Sequence, residues 1–179
     1  MKKMIATLMA LMMVFAFAAC AVAEENTKPT FTAGVQFDMD MEQVMELVNL
    51  PNPEIEGPKL RGKTEFYELE YEHIKDDLGY AADITYYFVG NGLTAIQFDM
   101  ADGTDYEKVK ADLTGGYGEA VPFDAAKIGN AKYLIDDDGD LKDCKEMIEA
   151  EGVTIVLEQE KDGDVDVIML DPTADYITV

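Results

Sequence analysis

The spacing of apolar residues changes from helical to alternating along the first half of the chain. Four of them lie at i, i+3, i+4 and i+7: Met41, Val44, Met45 and Val48. This spacing predicts a helix with one apolar face. Asp40, with Gln43 three residues later, is a capping-box variant at its start. Asn49 and Pro51 end the helix, and residues 51–58, with three prolines, are predicted to form a loop.

Alternating apolar and polar residues follow and predict an antiparallel meander. The strands are residues 63–74, 82–89 and 93–100. Gly90-Asn91-Gly92 supplies the turn between the last two, because these residues tolerate positive φ. In the first strand an apolar row alternates with three glutamates: Glu68, Glu70 and Glu72. We expect this glutamate row to face solvent.

The second half begins with the same order of elements in a less regular form. Residues 104–107 match a capping box, with Thr104 as the cap, and predict a helix that Gly115-Gly116 ends. Residues 117–135 are predicted to be irregular, with a short strand near 131–135.

The last third of the chain predicts a helix and a hairpin. Lys142/Glu146 and Lys145/Glu149 lie at i, i+4 and favour a helix over residues 141–151. A hairpin follows, formed by residues 153–160 and 164–170. Residues 31–179 are therefore predicted to form a single α+β domain, with helices packed on an antiparallel β-meander. Residues 31–100 and 101–179 are candidate units of a degenerate tandem repeat.

The entry to the first helix, residues 34–44, resembles that of the β-lactamase-inhibitory-protein-like domains and the related small outer-membrane-assembly lipoproteins. That family has an extended lead-in, a Gly-Met-Thr/Ser turn, and a helix with Val near its first turn. Met39 and Val44 match, Asp40 can cap in place of Thr or Ser, and Asp38 replaces the glycine. The resemblance covers mainly residues 31–100. It implies an α+β fold that binds other proteins through its exposed sheet face and loops, without identifying contact residues.

The start of the chain has the three parts of a bacterial-type export signal. Lys2 and Lys3 precede an apolar run over residues 4–19, and small side chains follow at 18–23. Ala21-Val22-Ala23 matches an A-x-A cleavage site, which predicts a signal peptide over residues 1–23 and cleavage between Ala23 and Glu24. Residues 24–30 are then a polar tether.

Two alternatives to release after Ala23 stay open. Phe17-Ala18-Ala19-Cys20 resembles a lipobox in which residues 1–19 are removed and Cys20 is lipidated, although Phe17 replaces the usual aliphatic residue. Residues 4–23 are also long enough, at about 30 Å of helix, for an uncleaved anchor. We therefore expect an exported protein that is secreted or anchored at the cell surface through Cys20.

The chain is strongly acidic, with 37 Asp and Glu residues against 14 Lys and Arg residues and a net charge of −23. Residues 1–23 carry two lysines and no acid, so their removal changes the net charge to −25. This field repels nucleic acid and anionic lipid. We expect no nucleic-acid partner, and membrane contact only through a lipid on Cys20.

Four aspartates around Gly139 indicate a candidate calcium loop: Asp136, Asp137, Asp138 and Asp140. With Gly139 at the sixth position of an EF-hand loop, however, Leu134 is first and Lys145 twelfth, where acids are required. The aspartates are therefore candidates only for a looser oxygen-ligand site. The alternative is a loop that caps the helix predicted after it.

The chain carries no recognisable catalytic set. It has one histidine, and it lacks a nucleophile elbow, a phosphate loop and a dinucleotide fingerprint. After export Cys144 is the only thiol outside a possible lipid anchor, so no disulfide is expected, and its place in the 141–151 helix predicts a small buried residue. No cofactor is expected.

These patterns together predict an exported, non-catalytic protein-binding or envelope-assembly module with an unknown protein or peptide partner. One alternative is an acidic calcium-binding protein. A second is a carboxylate-based hydrolase, because the fold can bring together any two of the many acids.

Overall fold

The described residues build one antiparallel sheet with helices on both of its faces. The structure, a computed structural model, describes residues 34–61, 63–75, 79–135, 141–174 and 176. The first half contains helix α1 (Met41–Val48) and strands β1 (Glu54–Arg61), β2 (Thr64–Lys75), β3 (Ala81–Val89) and β4 (Gly92–Met100). The second half contains helix α2 (Tyr106–Tyr117), strand β5 (Val121–Pro122), helix α3 (Ala125–Ile128), a 3-10 turn (Gly129–Ala131), helix α4 (Lys132–Ile135) and strands β6 (Cys144–Ala150), β7 (Val153–Gln159) and β8 (Val165–Leu170).

The eight strands lie in the order β1-β2-β3-β4-β8-β7-β6-β5. Each neighbouring pair is antiparallel. The predicted α+β class is therefore confirmed. Among the described residues, no helix is long and apolar enough to cross a membrane.

Helix α1 forms where the sequence predicts it. Asp40 and Gln43 make both bonds of the capping box, and Asn49 ends the helix with φ 48°. The segment before the helix is fixed to β4 by two backbone hydrogen bonds. The amide of Asp38 donates to the carbonyl of Leu93 at 2.9 Å, and the amide of Leu93 donates to the carbonyl of Met39 at 2.8 Å.

Strand β1 occupies most of the segment predicted to be a loop. Its proline, Pro58, lies where the pairing register with β2 shifts between Glu56 and Lys59. Proline lacks a donor and is tolerated in a sheet at an edge or a bulge, and β1 is both an edge strand and bulged. Pro58 is therefore consistent with an edge strand, and only Pro51 and Pro53, which precede β1, lie outside a strand.

The helix predicted over residues 141–151 is wrong, because the segment forms β6. Met147 and Ile148 are adjacent and both fully buried, so their side chains lie on the two opposite faces of the sheet. In the β6–β7 pairing, Met147 is the partner of Val156 and Ile148 is the partner of Ile155. A helix would bury only one stripe. Pairing with β7 thus outweighs the helical preference of the Lys/Glu spacing, which is worth only about 0.2–0.5 kcal/mol per pair.

The segment between α2 and β6 also differs from its prediction. The cap of α2 is Asp105, not Thr104, and α2 continues through both glycines to Tyr117. The strand predicted near 131–135 is absent, and 3-10 and α-helical turns occupy that segment. Three buried residues recur there at helical spacing: Ile128, Ala131 and Leu134. At this spacing the three side chains point to the same side of the helical turns and pack on the sheet, whereas the alternation of a strand would point neighbouring members of the set to opposite sides.

The core has two layers, one on each face of the sheet. On the first, which we call the helix face, α1 and α2 cover alternate strand residues, among them Ile84, Ile96 and Ile155. On the second face, the segment from α3 to α4 covers Ala95, Val156 and Ile168. Both faces of β7 are buried along most of the strand, because it lies inside the sheet with a layer on each side.

Two isoleucines provide a matched test of this architecture. Ile155 is fully buried in β7, whereas Ile55 on the edge strand β1 is 51% exposed. We expect Ile155→Ala to lower the free energy of unfolding by about 2–5 kcal/mol. Ile55→Ala should change it by about 0.5 kcal/mol or less. Urea denaturation of both variants checks this, and similar losses for the two would contradict the assignment of β1 to the edge.

Candidate functional site

Four acidic residues oppose one another directly across four adjacent strands of the second face. Asp83 of β3 pairs with Asp99 of β4, and Asp99 pairs with Asp166 of β8. Asp166 in turn pairs with Glu158 of β7. Paired residues in an antiparallel sheet point to the same face. We call these four residues, Asp83, Asp99, Asp166 and Glu158, the carboxylate ladder.

The ladder points away from the helix face because its neighbours in sequence point toward it. Phe98 and Met100 flank Asp99, and Val165 and Val167 flank Asp166; all four belong to the helix-face core. Asp99 is exposed, and the other three ladder residues are half-buried. The ladder therefore lies beside the apolar cluster of the second face, open to an approaching molecule.

Burial and mutual repulsion both favour the neutral form of the ladder carboxyls. Burial is the largest cause that raises the pKa of Asp166 to about 7, followed by the carboxylates of Asp99, Glu158, Glu160 and Asp164. Although the Asp99 side chain is exposed, partial desolvation of its carboxyl is the largest cause that raises its pKa, followed by the charges of Asp83, Asp164 and Asp102. Every neighbouring charge that raises these two pKa values is another carboxylate, so the ladder has a strong local negative potential.

Cys144 closes one end of the ladder. It lies on β6 opposite Glu158, and its thiol donates a hydrogen bond to Glu158 Oε1 at 2.7 Å. Cys144 is half-buried and forms no disulfide within the described part of the chain, whereas the sequence predicted a buried residue on a helix. The difference follows from β6 being a strand that places Cys144 beside a charged row.

The glutamate row of β2 is only partly on the solvent side. Glu72 is exposed and Glu70 is half-buried, but Glu68 is 8% exposed and forms an ion pair with Lys59 of β1. Glu56 also pairs with Lys59. The prediction that all three glutamates face water is wrong for Glu68, because a lysine on the neighbouring strand compensates its charge.

The site residues predicted from sequence lie outside the described residues. This holds for Cys20, Ala23 and Glu24 of the export signal and for the four aspartates Asp136, Asp137, Asp138 and Asp140. The calcium and hydrolase hypotheses therefore stay predictions. Within the described ranges, no group of three or more His, Cys, Asp or Glu residues is arranged to hold a metal ion.

The ladder is not evident from the sequence, although two of its members carry a weak signal. Asp99 lies in Phe-Asp-Met and Asp166 in Val-Asp-Val, so each is an acid inside an otherwise apolar strand. Such positions indicate a polar site on a largely buried sheet. Their alignment depends on the pairing of β4 with β8, which are separated by more than 60 residues and leave no local trace of that pairing.

Comparison with protein-family models, with curated proteins and with solved structures found no match to this chain.

The ladder predicts an unusual pH dependence of stability. The pKa of Asp166 is about 7 in the folded protein against an ordinary value of 3.8, so between these pH values the folded state binds more protons than the unfolded state. The stability contributed by this group is complete below the ordinary value and is lost as the pH rises through about 7. Asp166→Asn keeps a neutral side chain throughout. At about pH 8 we expect the free energy of unfolding of this variant to be about 1 kcal/mol higher than that of the wild type, so the variant is more stable.

Urea denaturation at about pH 8 and about pH 5 measures this difference, which should shrink at the lower pH. Asp162→Asn is the matched control, because Asp162 is exposed in the turn of the same hairpin. It should have a small effect that is equal at both pH values. A stabilisation by Asp166→Asn that does not depend on pH would count against the proposed repulsion.

Proposed function

We propose that this chain is an exported, non-catalytic binding module whose partner is a basic protein or peptide. The observation that carries the proposal is the carboxylate ladder on an open part of the second face. Like charges placed directly opposite each other destabilise a sheet by about 0.2–1 kcal/mol per pair. A basic partner removes this repulsion on binding, so its lysine and arginine side chains gain more from the ladder than from isolated surface acids.

The overall charge supports the same kind of partner. With a net charge of −23, the chain repels a second copy of itself and other acidic molecules, and it attracts basic ones over distances of about a Debye length. Electrostatic attraction of this kind speeds the encounter and selects against wrong partners more than it adds affinity. Apolar contacts from the partner would then provide most of the binding energy.

We also propose that the fold is a degenerate tandem repeat of the type seen in β-lactamase-inhibitory-protein-like domains. Each half begins with a helix and contributes four strands, and the order β1-β2-β3-β4-β8-β7-β6-β5 is what two four-stranded units produce when their last strands pair. Asp38 has φ 70°, the left-handed conformation that suits the glycine of the family turn. The segment from α3 to α4 is an insertion particular to the second half.

The binding proposal is tested with three forms of the mature chain as baits in an envelope extract of the source organism. These are the wild type, Asp99→Asn/Asp166→Asn and the control Glu107→Gln/Glu119→Gln, which removes the same charge from exposed positions. We expect the wild type and the control to retain a basic protein at about 50 mM salt and to release it at about 500 mM. The ladder variant should retain about tenfold less. Retention of no protein, or equal retention by all three, would contradict the proposal.

Export is tested separately by mass spectrometry of the mature N-terminus in membrane and medium fractions. A chain beginning at Glu24 indicates release, and a diacylglyceryl group on Cys20 indicates lipid anchoring. A chain that keeps residues 1–23 in the membrane fraction indicates an uncleaved anchor, and one that keeps them inside the cell would contradict export.

A further inference from the structure

A second acidic feature lies at the edge of the sheet, where β1 begins. The first residue of β1, Glu54, pairs with Glu70 of β2, but β2 continues to Lys75. The chain before Glu54 does not continue along β2. Asn52 has φ 58° and lies between Pro51 and Pro53. These three residues turn the backbone away from the edge of β2.

The diverging chain leaves an open cleft of about 620 Å³ against β2. Its lining comes from the loop before β1, from Glu54 and from the far part of β2: Leu50, Pro51, Asn52, Glu54, Glu70, Tyr71, Glu72 and Ile74. The volume is within the range of about 300–1,000 Å³ that is usual for small-molecule sites.

The cleft has an apolar side and an acidic side because it wraps around a strand edge. Tyr71 and Ile74 belong to the helix face and pack against its core, and Leu50 adds an exposed apolar side chain. The carboxylates of Glu54 and Glu70 oppose each other across the β1–β2 pair on the second face. Such a cleft suits a ligand with an aliphatic stem and a cationic head.

Two observations distinguish this cleft from a solvated acidic patch. Tyr71, which lines the cleft, is only 3% exposed, and its buried hydroxyl has no hydrogen-bond partner among the described residues, so an unsatisfied polar group lies in the layer behind the cleft. Glu70 is half-buried, and burial raises its pKa, followed by the charges of Glu54, Asp83, Glu68 and Glu72. Every neighbouring charge that acts on Glu70 in this way is negative.

We propose that this cleft binds a basic side chain of the partner, a guanidinium or ammonium group on an aliphatic stem, with Glu54 and Glu70 holding the cation. The proposal rests on the proposed function for the source of that side chain, since a basic polypeptide supplies it. The stem contacts Leu50 and Ile74, and the head group lies between the two carboxylates. A bidentate guanidinium–carboxylate pair favours arginine over lysine here.

The test uses a small probe, so that it does not depend on finding the partner. Butylguanidinium is titrated into the mature chain while backbone amide shifts are followed by NMR. We expect saturable shifts at the amides of residues 50, 52 and 70–74 with a Kd on the order of 1 mM. The neutral isostere butylurea should bind at least about tenfold more weakly, because it lacks the charge.

Glu70→Gln should weaken butylguanidinium binding about tenfold, since it removes a charge-assisted hydrogen bond. Its melting temperature should not fall, because the substitution relieves repulsion with Glu54. Glu119→Gln is the matched control: it removes the same charge from an exposed residue beside β5, at the opposite edge of the sheet. It should leave the Kd unchanged within about twofold.

Three outcomes would overturn the proposal: no saturable shift in the cleft, equal binding of butylurea, or equal weakening by Glu70→Gln and Glu119→Gln. The proposed function and this inference fail separately. Binding of the probe without recovery of a basic partner contradicts only the former. Recovery of a partner through the ladder, without probe binding in the cleft, contradicts only the latter.

Discussion

The pairing of β4 with β8 is the constraint on which the rest of the structure depends. It joins the strands of the two halves over five residue pairs, from Ala95 with Leu170 to Asp99 with Asp166. Both strands thereby become internal, with hydrogen-bonded neighbours on each side. The apolar residues of both halves then share one core on the helix face. Without this pairing, each half would present an apolar edge strand to solvent, which favours aggregation.

The same pairing creates the repulsion at the centre of the carboxylate ladder. A slip of one residue would separate Asp99 from Asp166, but it would also turn the core side chains of one strand, Phe98 of β4 or Val167 of β8, away from the core. Burial of each such apolar side chain is worth about 1.5–3 kcal/mol, against about 0.2–1 kcal/mol for a cross-strand pair. Packing therefore decides the register, and the opposed carboxylates remain as its consequence. Such a local conflict on an otherwise well-packed sheet is typical of a functional site.

Local patterns predicted the elements whose signals are local. The capping box of α1, the turn at residues 90–92 and the last hairpin all depend on neighbouring residues, and each was confirmed. The errors at β1 and β6 have a different cause. The prolines favoured a loop where β1 forms, and the Lys/Glu spacing favoured a helix where β6 forms. In each segment, hydrogen-bonded pairing with a neighbouring strand outweighed this local preference: β1 pairs with β2, and β6 pairs with β7. The carboxylate ladder could not be predicted for the same reason, since its register is set by the packing of Phe98 and Val167.

Protonation of the ladder carboxyls and binding of a basic partner both relieve the repulsion among these carboxylates. Under the proposed function, partner binding therefore depends on pH. Near neutral pH, Asp166 is only partly ionised, because its pKa is about 7. A cationic partner binds best to the fully ionised ladder and must displace any proton held there. Affinity for the partner is then expected to fall as the pH drops through this range, while the stability of the free protein rises. The two trends have opposite signs because the folded state gains from neutral carboxyls and the complex gains from charged ones. If the proposed export holds, the protein works where no cytoplasmic buffer keeps the pH constant, and this balance would then respond to external pH.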